Sequence, residues 1–219
     1  MTWPRLPISA ATDEMLITRP QRVRSIGSHL SGPTLQITLQ RLDPASVLWR
    51  LQLLGEDVSA HCAVLLAGWD LSDAAAGYYA FNDLHVVLTM LGAGEVARAE
   101  GWVARCAARA MAPEDARRSN HGMAREAGLP LMRGLLALAR GDADTAADTL
   151  FAVRAKARNW GGSHAQRDLI DQTLLAAAAQ GGRRAIGRAL INERRMAKPL
   201  TPLTRHWMAV LGERSEVRA

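Results

Sequence analysis

Apolar residues recur along most of the chain at spacings of three and four, the period of one face of an α-helix. From Asp43 onward that pattern is punctuated by helix signals. In "DPASVLWRLQLLG", Asp43 is placed to cap, Pro44 to take the first helical position and Gly55 to end the element. "SAHCAVLLAGW" reads as the returning helix, "AFNDLHVVLTMLGAG" rises to Gly92 and Gly94, "EVARAEGWVARCAARA" returns, and Pro113 interrupts. The second half repeats the form in "MAREAGLPLMRGLLALARGD", with a bend expected at Pro130, then "ADTAADTLFAVRAKAR", "SHAQRDLIDQTLLAAAAQGG", "RRAIGRALINERRMA" and "TPLTRHWMAVLG". The pattern predicts about nine helices over residues 43–211, paired as antiparallel hairpins, with no sheet.

Residues 1–42 differ, carrying Pro4, Pro7, Pro20 and Pro33 without a sustained helical period. They are expected to form a divergent, loosely held N-terminal segment ahead of a helical-repeat domain over residues 43–219. Within that segment "TLQITLQRL" fits a strand through Leu35, Ile37 and Leu39, and equally a helix face through Leu35, Leu39 and Leu42. Periodicity does not choose between them.

Aligning the turn glycines Gly94, Gly141 and Gly181 places Val103, Leu150 and Leu190 each nine residues later, with spacings of 47 and 40 between copies. A helix pair repeating at such a period is the signature of an α-solenoid, in which each hairpin buries its apolar face by stacking on its neighbours. Composition agrees with an all-α fold. Only 5% of the 219 residues are aromatic, while alanine and leucine dominate, which favours helices packed through small side chains.

The formal charge of +6 narrows the partners. Its densest cluster, Arg183, Arg184, Arg188, Arg194, Arg195 and Lys198, has no aromatic platform or recognition module among it, so it reads as a solvated helix face and no specific nucleic-acid binding is expected. Cys62 and Cys106 lie on apolar backgrounds without CxxC spacing and read as buried free thiols of a reducing compartment. With no membrane-length apolar run and no signal-peptide core, a cytoplasmic protein without membrane association is expected. No nucleophile elbow, phosphate loop, dinucleotide fingerprint or HExxH occurs, and no cofactor or metal is expected.

Four stretches, "DPASVLWRLQLLGEDV", "YYAFNDLHVVLTMLGAG", "REAGLPLMRGLLALARGD" and "GGSHAQRDLIDQTLL", resemble in order the C-terminal half of tetratricopeptide repeat protein 38-like proteins. The resemblance runs from about Asp43 to Leu211, and "GSHAQRD" is its most specific string. It implies a TPR-like α-solenoid of antiparallel helical hairpins and brings no defined reaction with it. The N-terminal half of such proteins has no counterpart before Asp43, so the chain is expected to be a truncated or derived member whose open end is covered by a partner or by self-association.

The string "GGSHAQRD" holds both architecture and candidate chemistry. Gly161 and Gly162 suit a positive-φ helix end, and Ser163 with Gln166 makes a capping box. His164, Arg167 and Asp168 are not required by that box. His164 and Asp168 share a helix face, where a carboxylate can orient the ring, whereas Arg167 and Asp171 have the spacing of an ordinary surface ion pair. A second polar spot is "FNDLH", where Asn82 or Asp83 is placed to cap a helix and His85 follows in its first turn. The resembled family has an aspartate-x-x-histidine-like pattern here, shifted in this chain to Asn82, Asp83 and His85. The alternative is an interior His85 hydrogen-bonded to a neighbouring turn. Glu126 completes the set, because His85, Glu126 and His164 are separated by 41 and 38 residues, close to one repeat each, and stacked first helices would bring them to one concave face.

Asn82, Asp83, His85, Glu126, His164, Arg167 and Asp168 are therefore the candidate binding residues, with His85, Glu126, His164 and Asp168 as candidate catalytic groups. The leading expectation is a scaffold binding a protein or peptide on a concave polar surface. The alternatives are a hydrolase or lyase built on the same residues, and a structural module that homodimerises.

Overall fold

The computed structural model describes residues 39–159, 162–197 and 200–212, and these residues are all-helical, with no strand among them. The helices are α1 (Leu39–Leu53), α2 (Ser59–Leu66), α3 (Ala80–Gly92), α4 (Val96–Met111), α5 (Ser119–Met123), α6 (Leu129–Ala139), α7 (Ala143–Val153), α8 (His164–Gln180), α9 (Arg184–Ala197) and α10 (Pro202–Val210). A π-helical turn, Ala124–Gly128, joins α5 to α6 without a break, so these three form one rod and the described residues contain nine. A bend is expected at Pro130 from the sequence; what stands just before it is this π-helical turn. Pro130 has no N–H for the carbonyl four residues back, and the helix widens just before it, where the Leu129 N–H reaches the Ala124 carbonyl.

Helix α1 departs from its predicted start. It runs from Leu39 straight through Asp43 and Pro44, so Asp43 is not its cap and the expected boundary at residue 42 falls inside a helix. Tertiary burial overrides the local punctuation: Leu42, Ala45, Leu48, Trp49 and Leu53 are all buried on one side or another of this helix. The helical alternative for "TLQITLQRL" thus holds from Leu39 to Leu42, and the rest of the N-terminal expectation lies outside the described residues.

Every residue of α3 except Asn82 is buried, which makes it the central helix. It packs against α1, α2, α4, α6 and the π-helical turn. The later helices pack largely in chain order, α6 on α7, α7 on α8, α8 on α9 and α9 on α10. Helix α1 also reaches α8. There Trp49, fully buried, donates its indole N–H to Thr173 Oγ1 at 2.9 Å across 124 residues of sequence.

The repeat glycines are not equivalent. Gly94 and Gly141 sit at φ +80 and +85, whereas Gly181 has φ −100, so the third copy of the turn is built differently. Both thiols are free and buried, as read from the sequence. No helix of the described residues is long and apolar enough to cross a membrane.

Candidate functional site

The start of α8 is organised by its own sequence. Gly162 takes φ +78, a conformation costly for any residue with a Cβ, and a Cβ there would also meet the Phe81 ring at 2.7 Å. Ser163 Oγ then accepts the Gln166 N–H at 3.2 Å while Gln166 Oε1 accepts the Ser163 N–H at 2.8 Å, the capping box expected from sequence. Helix α1 buttresses this junction: Gln166 Nε2 donates to Asp43 at 3.1 Å, and the Arg50 guanidinium donates to the Ala165 carbonyl.

Capping by Ser163 and Gln166 leaves the next polar residues available to a cleft of about 510 Å³, lined by Phe151, Arg154, Ala155 and Ala157 from α7 and its C-terminal extension, and by His164, Arg167, Asp168, Ile170 and Asp171 of α8. Arg167 donates to the Gly162 carbonyl at 3.1 Å and approaches His164 Nδ1 at 3.2 Å. Arginine has only donors, so Nδ1 accepts and the neutral ring carries its proton on Nε2. The i, i+4 pairings expected from sequence do not form. Asp168 pairs with Arg194 and accepts from Gln172 Nε2 at 2.6 Å, so it does not orient His164. Asp171 pairs with Arg154 at 2.6 and 3.1 Å, and Arg154 also reaches Glu193 at 2.7 Å. These partners hold the Arg154 guanidinium well above its ordinary range. Phe151, 48% exposed, is the apolar wall.

The structure brings His164, Arg167 and Asp168 together along this cleft and does not bring His85 or Glu126 to it. His85 is 1% exposed in the core. Its Nδ1 donates to the Phe81 carbonyl at 2.7 Å and its Nε2 accepts from Ser46 Oγ of α1 at 3.0 Å, with desolvation pushing its pKa down to about 4. This is the interior histidine left open as the alternative. Phe81, whose ring centroid is 4.6 Å from that of His85, also packs toward Gly162. Glu126 is exposed on the π-helical turn, 3.9 Å from Lys156.

Neither Asn82 nor Asp83 caps α3, which starts two residues earlier than Asn82, at Ala80. The first donor there, the Ala80 N–H, is satisfied from another helix by Asn120 Oδ1 at 2.9 Å. Asp83 instead faces inward, accepting the Gly77 N–H at 3.1 Å. Burial pushes its carboxyl pKa up to about 6, against the pull of that hydrogen bond and of Arg109.

No known family model matches the chain, and no solved structure matches it.

Among the described residues, no group of three or more histidine, cysteine, aspartate or glutamate side chains could hold a metal ion. The cleft presents Arg167, which has no carboxylate partner among the described residues, the His164 Nε2–H donor and the exposed Phe151 ring. Sequence reading missed Phe151, Arg154 and Arg194. The signal for them was spatial, since they reach the α8 start from other helices; only the arginine-rich composition of α9 hinted at a partner for Asp168.

Proposed function

We propose that this chain is a TPR-like helical-repeat scaffold, akin to tetratricopeptide repeat protein 38-like proteins, that binds a protein or peptide segment in the cleft between α7 and α8. The observation that carries this reading is the cleft itself, about 510 Å³ and therefore of ligand-pocket size, with the exposed Phe151 beside Arg167 and His164. Exposed aromatic and arginine side chains are the residue types that dominate protein recognition. The burial of His85 supports binding over a reaction shared by the two histidines, because catalytic groups must come within hydrogen-bond reach of one substrate.

Display selection of peptides on the full chain, followed by titration of the selected sequences, tests the reading. The expected result is a family of peptides whose affinity falls about tenfold or more in Phe151→Ala, the scale on which a hot-spot residue acts. Selection of no binder, or of binders indifferent to Phe151, would reject it.

A further inference from the structure

Among the described residues, the charges around the cleft do not all have charged partners. Arg194 serves Asp168, and Arg154 serves Asp171 and Glu193, so each of these carboxylates is matched. Arg167 is different. Its guanidinium gives one N–H to the Gly162 carbonyl and one to His164 Nδ1, and neither acceptor carries a charge to balance it. The remaining N–H donors of that fork are left over for something else.

His164 adds to this. Because Arg167 obliges Nδ1 to accept, the Nε2 of the neutral ring is a donor, so two adjacent residues of one cleft present donors and no acceptor. Phe151 lines the same cleft from α7 with nearly half its surface open. A ligand that was cationic would meet an uncompensated arginine, and a neutral one would leave that charge unmatched. A planar carboxylate suits the guanidinium fork, accepting two parallel N–H bonds, and an apolar group next to it would cover the phenyl ring.

We propose that the cleft recognises a carboxylate that adjoins an apolar or aromatic group, with Arg167 and His164 Nε2–H holding the carboxylate and Phe151 taking the apolar part. In the peptide reading, on which the biological source of the group rests, this is an acidic residue beside a hydrophobic one.

The direct probe is 3-phenylpropionate, compared with 3-phenylpropionamide and phenyl phosphate, titrated into the full chain and followed by NMR. The carboxylate should bind saturably and shift the signals of Phe151, His164 and Arg167, while the amide, of nearly the same shape, binds about tenfold more weakly, as expected for loss of a charge-assisted hydrogen bond. Arg167→Gln should erase the difference between acid and amide. Arg167→Lys should restore part of it, since the charge returns without the fork. Phe151→Ala should weaken both ligands alike. Equal binding of acid and amide, binding that shifts only residues outside the cleft, or no binding of the acid would overturn the proposal, and phenyl phosphate binding tighter than the carboxylate would overturn the choice of anion. Peptides that occupy the cleft without favouring an acidic residue would sink this inference and leave the peptide reading standing; a bound carboxylate with no peptide binder would do the reverse.

Discussion

The Trp49 indole N–H donates to Thr173 Oγ1 at 2.9 Å, and that hydroxyl passes its own hydrogen to the Leu169 carbonyl at 2.8 Å. This bond ties α1 to α8 inside the core, where both side chains are inaccessible to water. Thr173→Val keeps the shape and removes the hydroxyl, so the Trp49–Thr173 hydrogen bond and the bond to the Leu169 carbonyl are both lost. The expected cost is about 1 kcal/mol, the net contribution of a buried hydrogen bond, read as a lower denaturant midpoint with an unchanged m-value. A Thr173→Val chain as stable as the parent would show that this bond contributes nothing to docking α1.

At the other end of the same helix pair, Ser163→Ala removes one half of the capping box. Loss of an N-cap costs about 1 kcal/mol. Thermal unfolding should register it, and Ser163→Asp, which retains an acceptor, should recover most of the loss. If alanine and aspartate behave alike, the cap is not supporting α8.

Asp83 and His85 are two residues apart and both buried, and burial shifts their pKa values in opposite directions. His85 has a folded pKa of about 4, below its unfolded 6.5, so its contribution is present above pH 6.5 and lost as pH falls toward 4. Asp83 has a folded pKa of about 6, above its unfolded 3.8, so its contribution is fully present below 3.8 and lost as pH rises through 6. Each swing is on the order of 3 kcal/mol, and across the shared window from pH 6 to 4 they have opposite signs. Asp83→Asn keeps an oxygen for the Gly77 N–H and removes one titration. The variant should therefore lose stability on acidification from pH 6 to 4 more steeply than the parent, by about 2 kcal/mol or more. Parallel pH profiles for the two chains would refute the assignment.

These buried groups explain how much the sequence could say. The helices were legible because their apolar stripes, such as Ile170, Leu174 and Ala177 of α8, are what the core buries, and the Ser163 cap was legible because it is a contact over three residues. The candidate site was half legible. His164, Arg167 and Asp168 do reach one cleft, yet which partner each takes is set by helices far away in sequence: Arg194 claims Asp168 across 26 residues, and Ser46 claims His85 across 39. Regular spacing of His85, Glu126 and His164 carried no information about depth. The helix bearing His85 is buried at every residue but Asn82, whereas Glu126 sits on a π-helical turn that no local pattern announces.

The central claim is that the chain meets its ligand at the α7–α8 cleft and not at the buried histidine of α3. Amide hydrogen exchange of the full chain, with and without a saturating selected peptide, tests it most directly. Protection should concentrate at residues 151–171, with α3 unchanged because His85 and its neighbours are already sealed in the core. Protection confined to α3 and α4, or to α9 and α10, with residues 151–171 exchanging as in the free chain, would contradict it.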